Sequence, residues 1–267
     1  MQPSPLFIKR SRATVLCGLI AAIAAVAAAP GRPPLRCNTI DDMLRLRTIP
    51  ADTMIEVAGY HRAGDGGGGV FSYSDAAESQ PDGGTVFVPT DLPGRFLRVI
   101  DPDGDVYAEW FGARGDGDTD ALHDDHAAIN ACLERFGKVK LLAKTYGVRG
   151  KPEHYNPDIT YHAIDLGPDY RIVGTSRTAT TIKLLDASNP KGSAPGNNYF
   201  NMLANRRFHE SAENVIVRDL TINCNFDGQN KHTTINAIGV RGGGVLVERV
   251  NFRGYGTGRH PETGSSR

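Results

Sequence analysis

Two stretches of the chain carry the same pattern of residues at an offset of 30 positions: residues 215–223 (VIVRDLTIN) and residues 245–253 (VLVERVNFR). An internal repeat of this period is typical of a solenoid, in which each repeat forms one rung stacked on the rung before it. Equivalent residues of stacked β-rungs lie about 4.8 Å apart along the solenoid axis. The repeat therefore predicts short parallel strands that pair between rungs.

The register of the repeat predicts which residues meet between rungs. Asp219 faces Arg249 and Arg218 faces Glu248, so that opposite charges are neighbours at the corner. The apolar positions form an inward ladder of Val215, Val217, Leu220 and Ile222 under Val245, Val247, Val250 and Phe252. A less regular earlier rung is predicted to include residues 170–174 and 181–185. The repeats have no helical half, which disfavours a leucine-rich or ankyrin solenoid.

The stretch before the rungs predicts a turn, a helix and a strand. The residues Ala128, Ile129, Cys132, Leu133 and Phe136 fall on one face of a helix over residues 124–136. Asp124 or Asp125 is expected to cap its N-terminus, and Gly137 is expected to end it in the left-handed conformation. This amphipathic helix is expected to cover an apolar surface.

Residues 110–117 (WFGARGDG), 124–131 (DDHAAINA) and 141–148 (LLAKTYGV) together resemble the opening of the pectate-lyase superfamily, in its rhamnogalacturonase and epimerase-like branch. The chain departs from that pattern because three residues separate Thr119-Asp120 from Asp124-Asp125. The resemblance implies an all-β fold, a right-handed parallel β-helix with an N-terminal capping helix and carbohydrate along one outer face. It also implies a polysaccharide substrate.

The chain is predicted to divide into a signal peptide (1–29), a linker (30–37), a small β-rich appendage (38–105) and a β-helix (106–267) that is incomplete at its C-terminus. Lys9, Arg10 and Arg12 precede an uncharged, alanine-rich run over residues 13–29, which is typical of a secretory signal. The alternative is an uncleaved membrane anchor. We expect a secreted or periplasmic protein without stable membrane association after cleavage, and this export disfavours a phage tailspike.

The appendage is predicted to contain a short helix near residues 39–46, a strand over residues 54–57 and three further strands joined by glycine turns. The glycine run at residues 66–69 could cradle a phosphate, but it lacks the Gly-Lys-Ser/Thr ending and the helix of a phosphate loop. A structural turn is therefore the prediction for this run.

Charge and cysteine content limit the partners of the chain. The sequence has 30 basic and 30 acidic residues, without the basic excess that a nucleic-acid partner would require. Beyond the signal peptide the cysteines are Cys37, Cys132 and Cys224, which do not form a disulfide scaffold. We expect no cofactor, and the pattern is compatible with a homo-oligomer.

The sequence contains few candidates for catalysis. Glycoside hydrolysis requires two carboxyl groups at one bond, yet the paired-aspartate motifs of polygalacturonases are absent, as is a diagnostic set for a lyase. Asp227, in the loop over residues 225–230, is the predicted catalytic residue. Alternating aspartates (Asp116, Asp118 and Asp120) and the histidines His123 and His126 are interpreted as turn and cap residues, so no metal site is predicted.

We therefore predict a glycoside hydrolase similar to polygalacturonase or rhamnogalacturonase, acting on plant or microbial glycans. The alternatives are a non-catalytic carbohydrate-binding or spike-like module and a truncated, inactive fragment. The only tryptophan, Trp110, could stack on a sugar ring but is expected to pack under the capping helix.

Overall fold

The computed structural model describes residues 33–119, 123–150, 160–188, 199–206, 210–229 and 234–256. The predicted signal peptide, the start of the linker and the tail after residue 256 lie outside these ranges. The helices are α1 (Ile40–Leu44) and α2 (His126–Phe136), with two short 3-10 helices at Ala108–Phe111 and Phe226–Gly228. None of the helices in the described ranges is long and apolar enough to span a membrane.

The strands follow one another in short runs along the whole chain. They are β1 (Leu35–Cys37), β2 (Ile55–Val57), β3 (Gly69–Ser74), β4 (Val86–Phe87), β5 (Arg95–Arg98), β6 (Lys138–Lys140), β7 (Thr145–Val148), β8 (Thr160–Leu166), β9 (Arg171–Val173), β10 (Thr181–Leu184), β11 (Tyr199–Asn205), β12 (Ile216–Asn223), β13 (Thr234–Gly239) and β14 (Leu246–Arg253).

The first five strands form one sheet in the order β1-β2-β3-β5-β4. Its inner face packs on α1 around the buried residues Met43, Ile55, Phe71 and Phe96. The predicted linker is too long, because β1 lies within it and pairs in parallel with β2. Backbone hydrogen bonds from both ends of β1 to residues 54–58 extend the sheet by this strand.

The remaining strands stack in parallel in a repeating order. β6, β9 and the first half of β12 pair in one row, and β7, β10 and the second half of β12 pair in the next. β8, β11 and β13 form a separate three-stranded sheet. β12 and β14 bend between their halves at Asp219 and Arg249, which have φ angles of 60° and 52°. The chain thus winds through three rows of strands.

The predicted 30-residue register is confirmed. Val217 pairs with Val247, Leu220 with Val250 and Ile222 with Phe252. The predicted Asp219–Arg249 contact is also confirmed, with Arg249 Nε and Nη2 donating to the two carboxylate oxygens at 2.5 and 2.9 Å. Arg218 lies opposite Glu248 in register, but its guanidinium contacts Asp219 at 3.6 Å.

Helix α2 packs against the first 3-10 helix, β6 and β8. It ends at Gly137 in the left-handed conformation, as predicted. At its start, the Asp124 carboxylate accepts the His126 N–H at 3.2 Å. Asp125 occupies the cap position but makes no side-chain cap bond, so the two adjacent aspartates have different roles.

Candidate functional site

The outward face of β7, β10, β12 and β14 carries a row of polar residues. Tyr146, Ile182 and Ile222 point into the core and are fully buried. Because side chains alternate along a strand, their neighbours point outward. These neighbours stack in register as Gly147, which is buried and has no side chain, followed by the polar residues Lys183, Asn223 and Arg253. We call this row, together with Asp118 at its N-terminal end, the outer strip.

One long side of the outer strip is formed by the turn between β9 and β10. The Thr221 hydroxyl and the Asn251 side-chain amide donate to the backbone oxygen of Arg177 in this turn, at 2.7 and 3.1 Å. The turn is thus attached to two successive rungs. Thr180 is fully buried beneath it and donates to the Leu142 oxygen at 2.7 Å.

The opposite side of the outer strip is formed by the turns that follow β7, β10 and β12. Arg149 Nη1 donates to the Asp186 backbone oxygen at 3.0 Å. The Asn225 side-chain amide donates to the Asp186 carboxylate at 2.7 Å and to the Leu184 oxygen at 2.9 Å. These bonds fix the exposed Asp186 against the turn of the next rung.

The predicted catalytic residue Asp227 lies in the turn that follows β12. It is exposed and belongs to the second 3-10 helix. A Cβ atom on the following residue, Gly228, would lie 2.2 Å from the Asp186 Oδ1 atom. The turn that carries Asp227 therefore packs directly against Asp186. The sequence contains no signal that singles out Asp186, since its proximity to Asp227 depends on the stacking of two rungs.

Three charged residues and a histidine gather at the N-terminal end of the outer strip. His123 Nδ1 lies 2.7 Å from Asp116 Oδ2. Lys183 Nζ donates to the Gly117 oxygen at 3.1 Å and lies 3.6 Å from Asp118 Oδ1. The Thr145 hydroxyl donates to the other Asp118 oxygen. Carboxylates, an imidazole and an ammonium group thus meet on one exposed surface.

The aspartates predicted as turn residues do support local backbone. Asp116 accepts the His123 N–H at 3.3 Å, and its own backbone oxygen accepts the Thr119 N–H at 2.9 Å. Asp120 lies outside the described residues. Within the described ranges, no three His, Cys, Asp or Glu side chains are arranged to hold a metal ion.

Trp110 is not on the outer strip. Its ring lies 4.7 Å from the Arg98 guanidinium, which also covers the Phe71 ring at 4.5 Å. Arg98 donates to the backbone oxygens of Gly67 and Gly68 at 2.9 and 2.6 Å. The glycine run is therefore a structural turn, as predicted, and Trp110 packs at the junction between the N-terminal sheet and the solenoid.

Comparison with known proteins supports both parts of this architecture. Residues 36–101 match the family model described as the phage tail protein small four-stranded β-sheet domain. The solved structure of Pantoea stewartii WceF is described as a glycan biofilm modifying enzyme with a bacteriophage tailspike-like parallel β-helix fold. It has a TM-score of 0.56 and 23% identity, over 86% of this chain and 31% of that chain.

Two further structures are less similar. The A-module of the Azotobacter vinelandii mannuronan C-5 epimerase AlgE6 has a TM-score of 0.42 and 22% identity, over 55% of this chain and 37% of that chain. The tailspike protein of Acinetobacter phage vB_ApiP_P1 has a TM-score of 0.45 and 15% identity, over 84% of this chain and 39% of that chain. The chain thus spans 31–39% of the length of these three structures.

The likeness to WceF shows the fold of the solenoid. The resemblance to the pectate-lyase superfamily stays a prediction. The chain therefore combines a parallel β-helix with an N-terminal sheet that is similar to the phage-tail domain family.

Proposed function

We propose that this chain is an exported glycoside hydrolase that acts on a polysaccharide lying along the outer strip. The observation that carries the proposal is the stacking of Lys183, Asn223 and Arg253 in register between two walls of turns. Successive rungs repeat about every 4.8 Å, so the strip offers a hydrogen-bonding group at regular steps along an extended chain of sugars. A linear polymer suits such a surface better than a small molecule does.

The proposed catalytic carboxylates are Asp227 and Asp186. Both are exposed, and both lie in turns on the same side of the strip. Hydrolysis of a glycosidic bond uses one carboxyl group as the acid and a second as base or nucleophile. The contact between the two turns places two such groups on adjacent rungs.

The experiment measures new reducing ends and the ultraviolet absorbance of unsaturated sugars after incubation with polygalacturonate, rhamnogalacturonan and a neutral glucan. Reducing ends without absorbance would indicate hydrolysis, whereas absorbance would indicate elimination. Asp227→Asn and Asp186→Asn are each expected to lower the rate by about 100-fold or more. Asp103→Asn is the matched control, since this exposed aspartate lies in the turn before the solenoid.

A second candidate function is glycan binding without cleavage, as in a spike-like module. The match of residues 36–101 to a phage-tail domain favours this candidate. If the folded chain released no reducing ends but was retarded in a gel containing the polysaccharide, the hydrolase proposal would fail and binding would remain. Arg253→Ala is then expected to weaken the affinity by about 10-fold, or about 1.4 kcal/mol.

A further inference from the structure

His123 and Asp116 form an exposed acid–imidazole pair at the N-terminal end of the outer strip. Two contacts join His123 to Asp116. The ring atom Nδ1 lies 2.7 Å from Oδ2, and the His123 backbone N–H donates to Oδ1 at 3.3 Å. When the carboxylate accepts a hydrogen bond from Nδ1–H, Nε2 is left as the basic nitrogen of the ring. The His123 side chain is 43% exposed, so Nε2 can reach a bound molecule.

Gly147 brings this pair onto the surface of the strip. A Cβ atom at Gly147 would lie 3.0 Å from the His123 backbone oxygen, so the glycine lets His123 lie directly over β7. Gly147 is also the register partner of Lys183. The imidazole-bearing residue and the lysine therefore occupy adjacent positions on the same face.

Lys183 is tied to the segment that holds His123. Its ammonium group donates to the Gly117 oxygen at 3.1 Å and lies 3.6 Å from Asp118, and Gly117 directly follows Asp116. An ammonium group has three N–H donors, and these two contacts leave capacity for a third acceptor. The cluster thus holds a base and a positively charged hydrogen-bond donor on one short segment, residues 116–123, and the strand beside it.

We propose that His123, Asp116 and Lys183 form a centre that hydrolyses ester substituents, such as O-acyl groups, on the bound glycan. This inference rests on the proposed placement of a glycan along the outer strip, but not on cleavage of its glycosidic bonds. An ester needs one base that later acts as an acid, together with a donor for the developing oxyanion. The cluster contains these groups, whereas the Asp227 turn contains carboxylates.

The reaction uses water as its only co-reactant. His123 Nε2 takes a proton from water while the water oxygen forms a bond to the acyl carbon, and the carbonyl electron pair moves to the oxygen beside Lys183. When the carbonyl re-forms, the bond between the acyl carbon and the sugar oxygen breaks. That oxygen receives the proton from His123, which yields a carboxylic acid and a free hydroxyl. Asp116 is a positioning residue that orients the ring and stabilises its protonated form.

The test is release of acetate from acetylated xylan by the full 267-residue chain. His123→Gln is expected to lower the rate by about 100-fold or more, and Lys183→Met by a similar factor. Asp116→Asn is expected to lower the rate and to displace the acid limb of the pH–rate profile, which a purely structural role would leave in place. His61→Gln is the control, because His61 is exposed but contacts Gly112 away from the strip.

Acetate and reducing ends are separate readouts, so the two proposals can fail independently. Acetate release that depends on His123 supports the ester-hydrolysis centre, with or without new reducing ends. Absence of acetate from wild-type protein overturns it, as does a His123→Gln variant that keeps the wild-type rate. Each variant is compared with wild type by circular dichroism and urea unfolding, so that misfolding is not mistaken for loss of a reacting group.

Discussion

Asp125 illustrates how burial decides the role of a single residue. Its side chain is buried, and its carboxylate accepts the Arg114 and Gly115 backbone N–H groups at 2.7 and 3.1 Å. Burial raises the pKa of Asp125 to about 6, although these two hydrogen bonds act in the opposite direction. The carboxylate therefore closes the turn before α2 at an electrostatic cost near neutral pH.

This raised pKa predicts how stability changes with pH. The folded state binds the Asp125 proton more tightly than the unfolded state does, so this group contributes most to stability at low pH. The contribution is lost as pH rises from about 4 to about 7, and amounts to about 2 kcal/mol. In urea unfolding, the free energy of unfolding of Asp125→Asn relative to wild type should be higher at pH 7 than at pH 4 by this amount. A difference that is constant with pH would contradict the assignment.

At the scale of elements, the sequence predicted those whose pattern is local or strictly repeated. The period of α2 and the 30-residue register of β12 and β14 are visible in the order of residues. β8, β11 and β13 were not identified, because polar residues such as His162, Asn201 and Asn236 interrupt their apolar pattern. The corner at Arg249 was predicted, but its left-handed conformation was not, since a left-handed arginine has no sequence signal of its own.

The candidate site was predictable only in part, for a related physical reason. Asp227 was identified from its place in a loop after a rung. The outer strip was not identified, because Lys183 and Asn223 become neighbours through pairing of β10 with β12 across 40 positions of sequence. The Asp116–His123 pair likewise depends on how the turn before α2 folds back over β7.

The predicted capping role of α2 can be tested through Asn130. Its side chain donates to the Ala163 oxygen at 3.0 Å and accepts the Asp165 N–H at 2.9 Å, both on β8. Asn130→Ala leaves two backbone groups of β8 without these partners, so we expect a loss of about 2 kcal/mol in urea unfolding. Glu134 lies on the same helix and forms an exposed ion pair with Arg206, which follows β11. Glu134→Ala should therefore cost less than about 0.5 kcal/mol. Equal losses in both variants would contradict the capping role.

At the scale of the whole molecule, the N-terminal sheet and the β-helix are joined by buried polar contacts. Glu109 is fully buried, and its Oε1 atom accepts the Tyr146 hydroxyl at 2.6 Å and lies 3.0 Å from Lys144 Nζ. Lys144 also donates to the backbone oxygen of Asp65, in the turn between β2 and β3 of the N-terminal sheet, at 2.7 Å. The second carboxylate oxygen of Glu109 is buried without a partner in the described part of the chain. Lys144 is therefore the counter-charge that connects the two units.

Removing this counter-charge should uncouple the two units. Lys144→Met leaves the Glu109 carboxylate buried without its cation, which costs about 3 kcal/mol or more, whereas Glu109→Gln combined with Lys144→Met should recover most of the loss. Trp110, the only tryptophan, packs at the junction, so its fluorescence reports on the junction while far-ultraviolet circular dichroism reports on all strands. We expect the two transitions to coincide in wild type, and the fluorescence transition of Lys144→Met to occur at lower urea concentration. Coincident, unshifted transitions in the single variant would show that Lys144 does not hold the units together.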